Sequence, residues 1–232
     1  MQKPACIAID GPAGSGKSTI GKLLGQRLGY LYIDTGAMYR AVAWLALQEG
    51  VDITDGPALA RLAEHAHIVI SHPHIQDGRQ YTVTVRGRDI TWDIRSAPVT
   101  RAVSIVSAHP EVRAILIAQQ RAMAHQTGRV VMVGRDIGAV VLPDAELKIY
   151  LTASLMERAR RRYAELEQRQ QATGAANRQL PSLEEVVQDI ARRDEIDRAN
   201  LQPAPDAIII ATDNLTIEQV LDLISSYLED PV

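Results

Sequence analysis

The chain alternates between short apolar runs and longer stretches of helical spacing. "ACIAID" (5–10) is an apolar run that ends at glycines, the pattern of a strand buried on both faces of a parallel sheet. Ile20, Leu23, Leu24 and Leu28 then recur at helical spacing. "YLYID" (30–34) predicts a second strand, and "AMYRAVAWLALQEG" (37–50) predicts a helix closed by Gly50. "GPALARLAEHA" (56–66) predicts another helix, with Pro57 just inside its N-terminus. Residues 67–95 change character: they alternate, are rich in Thr, Val and Ile, and carry the turn pairs Asp77-Gly78 and Arg86-Gly87. That pattern predicts a small antiparallel sheet, inserted between helical segments.

The βα pattern then returns. Residues 98–125 read as mainly helical with a break at Pro110, and "RVVMVG" (129–134), "ELKIYL" (146–151) and "DAIIIA" (206–211) read as strands. A charged helical stretch separates the last two and is interrupted by "QATGAANRQLP" (171–181). Ser182 with Glu185, and Thr216 with Gln219, have the spacing of capping boxes for the last two helices. The expectation is one α/β domain over residues 1–232, a central parallel sheet of about five strands flanked by helices.

Composition narrows the chemistry. With 46% hydrophobic residues and no Phe, the core must rest on Ile, Val, Leu and Ala. A net charge of −3 argues against a polynucleotide partner, which calls for a basic surface. At 4%, aromatic residues are too few for a single-strand stacking platform. The single cysteine, Cys6, excludes an internal disulfide and a cysteine-based zinc site. No signal peptide pattern and no membrane-length apolar window is present, so a cytoplasmic monomer with no membrane partner is expected.

The strongest local signal is "GPAGSGKST" (11–19), which contains G-x-x-x-x-G-K-[ST] between a strand and a helix. Gly11, Gly14 and Gly16 let the backbone curl so that the loop of Gly11, Pro12, Ala13, Gly14, Ser15 and Gly16 turns its N–H groups, all but Pro12 having one, toward phosphate oxygens. The following helix directs its positive end at the same point. Lys17 adds charge for the β- and γ-phosphates, Ser18 offers a hydroxyl to Mg²⁺, and Thr19 can donate to a phosphate. This is a P-loop, and ATP with Mg²⁺ is the expected ligand.

The remaining question is where the phosphate goes. "DTGAMYR" places Thr35, Tyr39 and Arg40 after the second strand, and "VVMVGRDIG" places Arg135 and Asp136 after another. In a parallel sheet these positions share the rim that carries the phosphate loop. A guanidinium and a carboxylate there suit a ligand with both a phosphate and hydrogen-bonding edges. Each has a plainer reading: Tyr39 as helix packing, Arg40 as a solvated residue, and Arg135-Asp136 as a local turn pair.

"GPAGSGKST", "DTGAMYR", "IRSAPVTRAVSIVSAHPEVR", "GRDIGAVVLPDAELKIYLTAS" and "RRDEIDR" occur in the order and approximate spacing of bacterial cytidylate kinases. The resemblance spans nearly the whole chain. It implies the P-loop kinase fold, a helical lid over 158–181, and a segment over 62–104 that binds CMP. It implies transfer of the ATP γ-phosphoryl to CMP or dCMP. Residue by residue, Arg40 and Arg135 resemble the arginines that hold the CMP phosphate. Ser104, Arg113 and Asp136 resemble the trio that reads the cytosine edge. Arg193 and Asp197 resemble the pair at the pentose and phosphate. Arg158 and Arg162 resemble residues at the base of the lid, catalytic together with Lys17 and Arg135. Two positions depart from the family's usual pattern. Val133 stands where an acidic residue is common, leaving Mg²⁺ to Ser18, phosphates and water, with Asp34 as an outer partner. Asn200 stands where a further arginine is common, with Arg198 nearby as a substitute.

Other readings have weaker support. "RARRR" (158–162) as a nucleic-acid patch conflicts with the acidic balance. His65, His67, His72 and His74 form two H-x-H pairs without a companion Cys and read as surface residues. "DIARRDEIDR" also supplies ordinary i,i+4 ion pairs to a helix. A regulatory GTPase needs an N-K-x-D sequence that is absent, and a motor ATPase needs an acidic residue where Val133 stands. A kinase of UMP or a shikimate-like metabolite, and a non-catalytic ATP sensor, remain as alternatives.

Overall fold

The structure is a computed structural model that describes residues 3–173 and 180–229. Its centre is a five-stranded parallel sheet in the order β2-β6-β1-β7-β8, formed by β1 (Cys6–Asp10), β2 (Leu31–Asp34), β6 (Val130–Val133), β7 (Leu147–Thr152) and β8 (Ile208–Ala211). Ile7, Ile9, Ile33, Val131, Met132, Ile149 and Leu151 are all but fully buried. That is why these strands read as unbroken apolar runs rather than alternating ones.

Helices cover the sheet. α1 (Lys17–Leu28) packs on β6 and on α8 (Ile217–Glu229), while α2 (Thr35–Glu49), α3 (Gly56–Glu64) and α5 (Pro110–Thr127) pack together. α2 buries nine residues around most of its circumference, because it lies between the sheet and α3, α4 (Ala97–Val106) and the inserted sheet. It starts at Thr35, two residues before the sequence pattern suggests, because Asp34 accepts a hydrogen bond from Gly36 N–H and caps it. The expected break near Pro110 falls between α4 and α5, with Pro110 as the first residue of α5.

The insertion forms a three-stranded antiparallel sheet of β3 (Ile68–Ser71), β4 (Thr82–Val85) and β5 (Arg88–Asp89). Arg86 and Gly87 make its tight turn, both with positive φ, 50° and 78°. Asp77-Gly78 lies in the connection, residues 72–81, that joins the antiparallel pair β3 and β4, but it does not form a tight two-residue turn. Asp77 instead accepts from the Arg79 guanidinium at 2.7 Å and from the Trp92 indole at 2.9 Å, inside the long connection between β3 and β4. Residues 93–95, expected as strand, form a short 3₁₀ turn.

Val83, Ile90 and Ile94 from this region belong to the main core. The hairpin of α6 (Leu155–Thr173) and α7 (Leu183–Asp197) differs: Ala159, Val186 and Ile190 form a small core of their own. Both expected capping boxes are present, at Ser182 and at Thr216. Within 158–181, residues 174–179 lie outside the described residues. No helix among the described residues is long and apolar enough to cross a membrane.

Candidate active site

All five strands of the central sheet point the same way, so Asp10, Asp34, Val133, Thr152 and Ala211 end on one rim. A cavity of about 560 Å³ opens there. One end is the phosphate loop. Gly11, Gly14 and Gly16 have φ of 143°, 79° and 94°, a conformation that side chains oppose. A Cβ on Gly11 would also lie 2.0 Å from the Leu151 carbonyl oxygen. Ala13, Gly14, Lys17, Ser18 and Thr19 line the cavity, while Gly11, Pro12, Ser15 and Gly16 do not. Lys17 Nζ donates to the Pro12 carbonyl at 2.6 Å, folded back across the loop. Burial, with Arg135 nearby, pushes its pKa down to about 7.

The other end is made of side chains. Thr35, Tyr39, Arg40, Ser104, Arg113, Arg135, Asp136, Arg193 and Asp197 all line the cavity, as does Arg162. Arg113 is ion-paired with Asp136, which is 7% exposed, and its guanidinium lies 6.0 Å from the centre of the Tyr39 ring. Arg135 pairs with Asp197 at 2.9 Å, and Arg193 with Asp189 at 2.8 Å. Burial lifts the Asp197 carboxyl above its usual range, with the Arg135 charge opposing. Among the described residues Arg40 donates to neutral groups, the Ile94 carbonyl at 3.4 Å and Thr100 Oγ1 at 3.0 Å. Burial lowers its pKa, Asp34 and Tyr81 oppose the fall, and the charges of Arg193 and Arg95 add to it. Arg113, Arg135 and Arg193 each hold a carboxylate while Arg40 has no ion pair among the described residues, and a half-buried group of guanidinium ions of this kind suits a bound phosphate.

Two residues singled out in the sequence are placed less directly. Thr35 lines the cavity, but its hydroxyl donates to the Val133 carbonyl at 2.9 Å and ties α2 to β6. Arg158 does not line the cavity. It lies beneath the phosphate loop, donating to Ala13 O at 3.1 Å, Ala153 O at 3.1 Å and Asp194 at 2.6 Å. Its neighbour Arg161 holds Thr212 through both ends of its guanidinium. Arg162, one position further round α6, is the one whose side chain reaches the cavity.

A model of the family described as "Cytidylate kinase" matches residues 7–230. The chain is 51% identical over 224 residues to the cytidylate kinase of Chloroflexus aggregans, covering 97% of this chain and 94% of that one. It is 49% identical over 231 residues to the cytidylate kinase of Roseiflexus castenholzii, covering 99% and 96%. The chain belongs to the cytidylate kinase family. A solved structure of an uncharacterized protein from Eubacterium ventriosum shares the fold at a TM-score of 0.50 and 11% identity, over 97% of this chain and 98% of that one.

Within this family the two unusual positions now have surroundings. Val133 is 1% exposed, and its side chain packs against Gly21 of α1, so close that a Cβ on Gly21 would lie 2.5 Å from it. Asn200 lines the cavity from a 3₁₀ turn after α7. Arg198 cannot take its place, because its side chain is 76% exposed and pairs with Glu195. The sequence also hid several contributors. Tyr81 from the insertion donates to Asp34 at 3.3 Å and accepts from Arg95 at 3.1 Å, which joins the inserted segment to the cap of α2. Only the position of Arg95 within "IRSAPVTRAVS" hinted at this.

Proposed function

We propose that the protein transfers the γ-phosphoryl group of ATP to CMP or dCMP, yielding ADP and CDP or dCDP. The observation that carries this is a single cavity with a phosphate loop at one end and, at the other, the Arg113–Asp136 pair beside Arg40, Arg135 and Arg193. The loop N–H groups and Lys17 hold the β- and γ-phosphates. Arg40, Arg135 and Arg193 hold the acceptor phosphate, and Ser104, Arg113 and Asp136 meet the cytosine edge. Asp197 is placed for the pentose.

An acceptor phosphate oxygen attacks the γ-phosphorus, and the bond from that phosphorus to the oxygen bridging it to the β-phosphate breaks. The attacking group is already an anion, so no protein base is required. The arginines stabilise the charge that spreads in the transition state, and closure of the walls excludes water as a competing acceptor. Mg²⁺ bound with ATP would neutralise phosphate charge. The side chains present fit a metal held mainly by phosphates and water. Ser18 is the protein donor at the cavity, Val133 offers none, and Asp34 already caps α2 and accepts from Tyr81.

ADP formation from ATP–Mg²⁺ with CMP, dCMP, UMP, AMP and shikimate supplied separately tests this reading. The expected result is strong turnover with CMP and dCMP, weak turnover with UMP, and none with the others. Preference for another acceptor would overturn the assignment of the arginine end. Nucleotide binding with no acceptor-dependent turnover would identify a sensor instead.

A further inference from the structure

Asp10 ends β1 and immediately precedes the phosphate loop. It is 4% exposed, and both of its carboxylate oxygens are occupied. Ile137 N–H donates to one and Gly138 N–H to the other, each at 2.7 Å. These N–H groups begin the turn Ile137–Val141, directly after Arg135 and Asp136. Upstream of the same pair, Gly134 N–H donates to the Ile9 carbonyl at 3.1 Å. The segment that bears Arg135 and Asp136 is therefore pinned to the end of β1 on both sides, and the downstream pin is a side chain. Gly134 has no room to move inward, since a Cβ there would lie 2.5 Å from Ile137 and 2.7 Å from the Thr35 hydroxyl.

We infer that Asp10 is a positioning residue that sets the Arg135–Asp136 turn in register with the phosphate loop and so aligns the acceptor with ATP. This rests on the proposed kinase reading. The chemistry favours a carboxylate here because two successive N–H donors aim at one side chain. A carboxylate accepts both. A protonated acid or an amide must turn a hydrogen-bearing atom toward one of them, or leave it unmet inside the protein.

The charged and titratable groups around Asp10 come from three elements. Lys17 lies at the start of α1, Asp136 and Arg135 lie on the turn, and Tyr150 lies beside it on β7. Burial raises the Asp10 carboxyl to about 6. Asp136 adds to the rise, and the two N–H donors and Lys17 oppose it. The carboxylate thus predominates above pH of about 6, and the turn loses its two-donor acceptor as pH falls through that value.

The test compares wild type with Asp10→Asn, using CMP and ATP–Mg²⁺. The expected result is a loss of kcat/KM for CMP on the order of 100-fold, while affinity for ATP alone stays within about threefold. The ratio of wild-type to variant kcat/KM should be large above neutral pH and shrink as pH falls through about 6. The ionisation of CMP itself cancels in that ratio. A second measurement uses the wild type alone: the backbone N–H resonances of Ile137 and Gly138 should titrate together with a midpoint near 6. That result stands even if the variant does not fold. A variant with unchanged kcat/KM for CMP would overturn the inference, as would a pH-independent ratio or N–H resonances that do not titrate between about pH 5 and 7. Wild type inactive on CMP would instead overturn the kinase reading, which keeps the two failures apart.

Discussion

On the proposed reading, the two ends of the cavity hold phosphate by different means. The loop end is nine consecutive residues whose backbone does most of the work, shaped by positive-φ glycines and by the dipole of α1. The acceptor end is assembled from side chains on α2, α4, α5, the β6 turn and α7, with Thr35 and Asp197 162 positions apart. Apart from Lys17 and Ser18, the first end should tolerate side chains that leave its curl intact. The second depends on how several guanidinium and carboxylate groups hold one another. Substitutions at the acceptor end should therefore damage turnover far more than stability.

Arg135 gives the largest expected effect. Arg135→Ala removes a cation from the transition state and leaves Asp197 unpaired at the edge of the cavity. A loss of kcat/KM on the order of 1000-fold is expected, with a melting temperature within a few degrees of wild type. Steady-state kinetics beside thermal denaturation checks it, and a matching collapse of both would erase the contrast between the two ends.

Asp136 sharpens the comparison by separating recognition from charge. Its carboxylate is held by Arg113 deep in the cavity. Asp136→Asn keeps the shape but turns a donor toward where an acceptor stood, so it should weaken CMP against UMP by roughly tenfold to 100-fold. Competing the two acceptors in one assay measures this directly, and an unaltered preference would remove Asp136 from the base-reading group.

At the loop end the sharpest signal is a proton rather than a rate. Lys17 faces the Pro12 carbonyl, and burial holds its pKa at about 7. Phosphate oxygens favour the charged ammonium and raise that value. At pH of about 8 ATP binding should therefore take up a substantial fraction of a proton, and at about pH 6, where Lys17 is already charged, almost none. Calorimetry in two buffers of different ionisation enthalpy reads the uptake. Equal heats at about pH 8 would show Lys17 charged before ATP arrives.

The same contrast explains what the sequence showed. The loop was legible because its chemistry is contiguous, and β1, β2, β6 and β7 were legible as apolar runs because they are largely buried. Arg40 was placed on the rim by its position after β2, whereas Ser104, Arg113 and Arg193 became readable only through the family resemblance, since nothing in their spacing brings them together. Asp10 was lost inside "ACIAID", where it passed for the polar end of a strand, and its partners lie 127 and 128 positions away. Arg158 and Arg162 are four residues apart and suggested one shared role. The rotation of α6 instead puts Arg158 under Ala13 and Arg162 at the cavity. Asp77-Gly78 looked like a hairpin turn, but the Arg79 guanidinium bridges Asp77 and Asp89 and holds a wider loop.

Asn200 allows the smallest and most specific perturbation. It lines the arginine end of the cavity from a turn that buries no residue, so a longer side chain can enter without displacing core atoms. Arg198 points to solvent, so the acceptor end lacks whatever charge an arginine at 200 would add. Asn200→Arg should lower KM for CMP by about threefold to tenfold, with kcat changed less than twofold, because a contact made equally to the ground and transition states raises affinity alone. The gain should fade as salt is raised, since it is electrostatic and partly exposed. A gain in kcat instead would mean that the acceptor end is short of transition-state charge. No change at all would mean that Arg40, Arg135 and Arg193 already neutralise the acceptor phosphate.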